Sequence, residues 1–368
     1  MHCTWLMLLL TLATVTRSEH YHIVPVDSTD LCHDYQNGTC FTLEQLVQTD
    51  LLSGGDNLTL SFLPGDHLLS EMLYICNFTE VIIAGQNATI NLNNSGRVQI
   101  SNISALSIEG GLHFTGASDE SSSGYMNISQ CYLVDLKLLK LEACTLGITR
   151  TVTVTIEQVL FVNNTSTDRA LIVKADTVYI EKSDFFSNNG GGAVHIESSQ
   201  TVINGSRFDS NTAAYGGAVF VASANVTISW SNFTNNSAYY NGGAISTSES
   251  NLSIYNCALL NNSAIVGGGA INSLEGSVSI SDSELAYNSA EYGGAISTFE
   301  SNLSIYNCAL LNNSAIVDGG AIISLEGSVS ISDSELAYNS AEYGGAISTF
   351  KMEQLLAWKG VSQSPTVS

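Results

Sequence analysis

The chain has 368 residues, ample apolar content for a large core, only three prolines and 31 glycines, a composition unlike that of a low-complexity linker. It is strongly acidic, with 34 Asp and Glu against 11 Lys and Arg, and no Lys or Arg occurs between Phe208 and Phe350. That stretch has no means of neutralising phosphates, which excludes nucleic acid as its partner, and an anionic membrane surface would repel it for the same reason.

In chain order the first element is an apolar run from Trp5 to about Val15, followed by small and polar residues suited to cleavage near Ser18. The run is too short to span a bilayer, so residues 1–18 read as a secretory signal peptide, and no second run of some twenty apolar residues follows. Residues 19–53 read as an N-terminal cap. It contains a loop, "HDYQNGT", flanked by Cys32 and Cys40, the best candidate disulfide in an oxidising compartment, with Cys131 and Cys144 as a second candidate pair. No CxxC or Cys/His cluster supports a metal site instead. Within the cap, Thr42 and Gln45 stand in capping-box positions before Leu43, Leu46 and Val47, which predicts a short helix covering the first strand edges.

From residue 54 the segments "LTLSFLPG", "VIIAG" and "VQISNISALSIEGGLHF" read as strands with irregular spacing, and from about residue 185 the spacing becomes regular. "GGA" recurs at Gly191, Gly216, Gly242, Gly268, Gly293, Gly319 and Gly344, always 25 or 26 residues apart. In step with it runs an aromatic residue or Leu followed three residues later by Asn: Phe208/Asn211, Phe233/Asn236, Leu259/Asn262, Leu285/Asn288, Leu310/Asn313 and Leu336/Asn339, with looser versions at Phe161/Asn164 and Phe185/Asn188. Apolar residues at i, i+2 spacing, such as Val226 and Ile228, mark a strand with one buried face. Short strands and Gly turns with a period of about 25 residues, and no helical periodicity, predict an all-β fold: a parallel β-helix (solenoid) over 54–350, with 351–368 an irregular tail or truncated end. Residues 242–299 and 293–350 are near-identical copies, differing only at Ser248/Phe299, Gly267/Asp318 and Asn272/Ile323.

Stacked coils would place Asn211, Asn236, Asn262, Asn288, Asn313 and Asn339 in an inward ladder, each amide bonded to the next. These six all read N-[ST]-A and never fall in a glycosylation acceptor, whereas the neighbours Asn235, Asn261 and Asn312 do. The acceptor pattern N-x-[ST] occurs seventeen times, and Asn37, Asn57, Asn77, Asn102, Asn225, Asn235, Asn251 and Asn302 are taken as glycan sites.

The paired GGA[IV] and FxxN landmarks resemble those of the chlamydial polymorphic membrane proteins, whose passenger domains are β-helical adhesins. The signal, the "CFTL" start, the acceptors and "FLPGDH" are together more similar to secreted animal proteins with pectin-lyase-like β-helices. The resemblance covers roughly residues 20–350 and implies a right-handed helix of about a dozen coils. Many such folds cleave acidic polysaccharides, using carboxylates that hold Ca²⁺ and a basic residue near the sugar, yet the repeats from Phe208 to Phe350 contain no Lys, Arg or His. The recurring acidic pairs Asp282/Glu284 and Asp333/Glu335 are two coils apart, too far for one metal, and His195 follows "GGAV" alone, as a surface strand residue does. Arg97, His113, Arg150 and Arg169 fall in the irregular half, where no site is recognisable. The expectation is a non-catalytic scaffold without cofactor or metal, recognising an extracellular glycan or protein. A polysaccharide lyase or hydrolase, and a passive structural coat, are the alternatives.

Overall fold

The computed structural model describes residues 18–25, 39–92, 96–116, 124–350 and 362–363, and the fold is an all-β parallel solenoid. The chain divides into two compact units, 1–159 and 160–368. The expected signal peptide and most of the tail lie outside the described residues.

In the first unit, long strands Ser53–Phe62, Met72–Gly85, Arg97–Glu109, Gly124–Lys137 and Cys144–Glu157 pair in parallel, each with the next. Alternation turns one side of each strand inward, so Leu60, Ile83, Ile108, Leu136 and Ile156 stack in register as a buried apolar ladder. Short strands Gly65–Leu68, Ala88–Asn91, Leu112–Thr115 and Lys140–Glu142 form a second parallel sheet. The helix spans Leu43–Val47 with the expected capping box: Gln45 N–H donates to Thr42 Oγ1 (3.3 Å), and Thr42 N–H donates to Gln45 Oε1 (3.0 Å). The cap reading of 19–53 missed a strand. Ser18–Val24 pairs in parallel with both Ser53–Phe62 and Thr39–Thr42, burying Tyr21 and Ile23. Its alternation, "HYHIV", is too short to stand out beside the signal run.

Cys131 and Cys144 are both buried and are not bridged to each other, which corrects the second expected pairing. Cys144 lies opposite Gly124 on the neighbouring strand, and Cys131 is seven residues further along it. At about 3.3 Å per residue that is about 23 Å, against a bridge reach of about 7 Å. The expected Cys32–Cys40 bridge falls on residue 32, outside the described residues.

In the second unit each regular coil has three sides. A long strand such as Ile245–Tyr255 or Ile271–Ser281 carries the outer face, a three-residue strand such as Asn232–Thr234 or Ala258–Leu260 follows, and a Ser-Ala strand such as Ser237–Ala238 or Ser263–Ala264 closes the coil. The centres of the three-residue strands stack inside the coil. Phe161, Phe185, Phe208 and Phe233 are fully buried with ring centroids 4.7 Å apart and planes within 3° of parallel, and Leu259, Leu285, Leu310 and Leu336 continue the row. That separation is the strand spacing itself, so one aromatic per coil stacks without adjusting the backbone.

The Asn residues are at the next bend, buried, with each one satisfied by its neighbours. Asn236 shows the pattern. Its N–H and Nδ2 both donate to Asn262 Oδ1 (3.0 Å each), and Nδ2 also donates to Phe208 O (3.0 Å). Asn211, Asn262, Asn288 and Asn313 repeat these bonds, Asn339 ends the row, and Asn188 extends it the other way. The residue before each is left-handed, φ 56° at Asn235, 54° at Asn261 and 53° at Asn312, a conformation asparagine tolerates. The acceptors beside the ladder are therefore products of the same bend.

The "GGA" corner has an equally local cause. Its first Gly is left-handed (φ +67° at Gly242), and its second lies under the next coil: a Cβ on Gly243 would be 2.1 Å from Gly269 O. A second small ladder had no motif in the sequence. Backbone N–H groups of Ser206, Ser231, Cys257 and Cys308 donate to the side chains of Ser231, Cys257, Ser283 and Ser334 respectively, so Cys257 and Cys308 occupy serine positions.

Candidate functional site

The corner and the adjoining strand face of the second unit build a groove of about 950 Å³. Three outward rows meet there, each advancing one coil at a time. The corner row is Asn241, Gly267, Tyr292, Asp318, Tyr343. On the strand face the first row is Ser246, Asn272, Ser297, Ile323, Ser348, and the second is Ser248, Leu274, Phe299, Leu325, Phe350. The second row becomes a continuous apolar stripe from Leu274 onward, with Phe299 41% and Phe350 55% exposed. Asp318 stands at its edge, only 6% exposed, and its Oδ1 has no hydrogen-bond partner.

All three positions at which the duplicated copies differ belong to these rows: Gly267/Asp318 in the corner row, Asn272/Ile323 in the first strand row and Ser248/Phe299 in the second. Counted from the first Gly of "GGA" they are positions −1, +4 and +6, and +4 and +6 share a strand face. The sequence contained this signal, but the differences were not placed on a common face.

The acidic pairs line a separate, shallow surface beside Trp230. Glu284 and Glu335 are in register with Ala309 between them, so two strand spacings, about 10 Å, separate the copies. Asp282 accepts from Asn307 Nδ2 at 2.7 Å. Among the described residues no group of three or more His, Cys, Asp or Glu side chains is arranged to hold a metal ion.

His195 is not alone, and here the structure corrects the reading. Its ring packs edge-on to Phe220 (centroids 5.1 Å, 80°), its Nε2 is 3.4 Å from Glu197 Oε1, and Lys174 pairs with that carboxylate at 2.8 Å. Burial, then the nearby Arg169 charge, holds its pKa below the usual histidine value, so the imidazole is neutral at pH 7. Glu197 is two residues along the same strand, but Lys174 and Phe220 are on the coils either side, which a linear motif cannot show. Arg169 is structural: its guanidinium donates to Val194 O (3.0 Å), Gly216 O (2.8 Å) and Tyr215 O, while burial lowers its pKa to about 9. In the first unit His113 and Lys140 share Glu142, at 3.1 and 2.6 Å.

Of the glycan acceptors, Asn102, Asn225, Asn235, Asn251 and Asn302 are exposed, Asn57 and Asn77 are half-buried, and Asn37 lies outside the described residues. Asn225 and Asn251 are register partners, with Asn251 Nδ2 donating to Asn225 Oδ1 at 2.9 Å.

Residues 77–259 match the family described as a right-handed β-helix region. No curated protein and no solved structure matches the chain. The match and the parallel solenoid together define the class: a right-handed β-helix repeat protein. Among the described residues no helix is long and apolar enough to cross a membrane.

Proposed function

We propose that the chain is a secreted, glycosylated β-helix scaffold for extracellular recognition or adhesion, with no chemistry of its own. What carries this reading is the divergence of the duplicated coils, confined to the three rows of one groove. A scaffold made of repeated rows tolerates added coils, because each coil bonds only to its neighbours, and its outward rows are free to change. Exposed Phe side chains in a concave surface are a feature of binding sites, where burial on association recovers their apolar area.

One observation favours an enzyme as the second reading, namely the neutral His195 beside Glu197 and Lys174, a base with charged neighbours. A single experiment separates the two. The purified chain is screened against a glycan array and intact cells, with a parallel assay for unsaturated or reducing sugar ends. Saturable binding without turnover supports the scaffold, turnover of any polysaccharide overturns it, and binding to nothing leaves a passive coat.

A further inference from the structure

Resting on that reading, we propose that the groove at the Phe299–Phe350 stripe binds a basic, apolar segment of a partner protein, seating a Lys or Arg against Asp318 and its apolar neighbours on the stripe. Three observations converge on this chemistry. The first is the direction of the divergence. Relative to the earlier copy, the groove has gained Phe for Ser, Ile for Asn and Asp for Gly, two apolar groups and one carboxylate. The amides of Asn241 and Asn272 remain at the Gly267 end of the groove, while at the Asp318 end Ile323 stands where the earlier copy has Asn272, so this end is apolar apart from its one carboxylate.

The second is the counter-charge, which none of the described residues lining the groove supplies. Asp318 is almost wholly buried, its Oδ1 is unpartnered, and the chain from Phe208 to Phe350 contains no Lys, Arg or His that could face it. A carboxylate held in an apolar wall is stabilised when a cation or a set of donors arrives from outside. The formal charge of −23 on the whole chain draws a basic partner and repels an acidic one. The third is dimension. From Leu274 to Phe350 the stripe crosses three strand spacings, about 14 Å, the reach of four or five extended residues. A short peptide with one cation between apolar side chains fits both the length and the charge.

The test uses the full chain and its own internal controls. Asp318→Gly, Phe299→Ser and Ile323→Asn each restore the residue that the other copy carries at the same backbone position, so each should fold, which an unchanged thermal midpoint verifies. A displayed library of random peptides is selected on the immobilised chain. Enriched sequences should place Lys or Arg between apolar residues, and synthetic versions should bind at least tenfold more weakly to Asp318→Gly and to Phe299→Ser. Replacing the peptide's Lys by Glu should abolish binding. No enrichment, or enrichment indifferent to the variants, overturns the inference. So does a neutral glycan whose array signal the variants abolish, or self-association of the chain that they abolish, which would assign the groove to a second copy. Cell binding that survives in all three variants sinks the inference and leaves the scaffold reading standing, whereas turnover of polysaccharide sinks that reading on its own terms.

Discussion

Replacing Asn262 by Leu removes one rung of the buried amide ladder, and its cost follows from the bonds on either side. Asn262 Oδ1 accepts from both the N–H and the Nδ2 of Asn236, and Asn262 Nδ2 donates to Phe233 O (3.0 Å) and Asn288 Oδ1 (3.1 Å). Asn288 Oδ1 keeps the N–H of residue 262, and Asn236 Nδ2 keeps Phe208 O. The Asn236 N–H and one of its two Nδ2 hydrogens are nevertheless left in a dry interior with no acceptor. At about 1–3 kcal/mol for each buried unsatisfied group the variant should lose about 2–6 kcal/mol. Ser279→Ala, on an exposed strand position, should change stability by less than about 0.5 kcal/mol. Urea denaturation reads the difference, and hydrogen exchange locates it. The Asn236 amide, which donates to the lost Oδ1, should exchange much faster, while the Asn188 amide, bonded to Asn211, should not. An unchanged urea midpoint together with unchanged exchange at Asn236 would refute the ladder as a source of stability.

Gly243→Ala should destabilise by about 3 kcal/mol, because its Cβ would be 2.1 Å from the Gly269 carbonyl, a backbone atom that cannot rotate away. Gly54→Ala, with nothing within 4 Å of the added carbon, should cost only the strain of its left-handed backbone (φ +84°), about 1 kcal/mol, and comparing the two thermal midpoints checks this. Burial pushes the Cys257 thiol up to about 11, so iodoacetamide at pH 8 should label it only after unfolding. Because the folded thiol holds its proton more tightly than the unfolded one, stability should fall as pH rises from the ordinary value of 9.0 through about 11, a loss that Cys257→Ser should diminish in pH-dependent melts. Glycopeptide mass spectrometry should find sugar on Asn225 or Asn251 but never on both in one chain, since the two side chains are adjacent and hydrogen-bonded, while Asn302 is modified independently. Doubly occupied chains would overturn that exclusion.

What the sequence made legible is whatever repeats. The 25- or 26-residue period places Asn211 to Asn339 in one row, and the paired "GGA" glycines follow from a left-handed corner and a backbone contact that recur in each coil. What stayed hidden is whatever occurs once or is assembled across coils. Ser18–Val24 is a short strand beside an apolar run, and its pairing depends on residues 18 to 39 positions away. The surroundings of His195 come from Arg169, Lys174, Glu197 and Phe220, on three successive coils. The place of Cys257 in a serine row is equally hidden, because sequence alone does not show that its sulfur accepts the Ser231 N–H as a serine hydroxyl does one coil earlier.

The duplicated coils also separate constraint from use. Inward rows cannot drift, since each Asn, Gly or Leu contacts its equivalents above and below, and a change in one copy breaks bonds in both directions. Outward rows lack that restraint, so relaxed constraint alone would scatter differences over the exposed surface. They are not scattered. Ile265 and Ile316, among the most exposed apolar side chains, are identical between copies, and so are Tyr255 and Tyr306, Asn251 and Asn302, and Glu284 and Glu335. Only the rows that meet at the groove have changed. The Gly267 end and the Asp318 end of one surface thus differ in charge and in apolar area on an otherwise unaltered framework, which is the pattern expected when a copied surface is retained for its fold and modified for what it contacts.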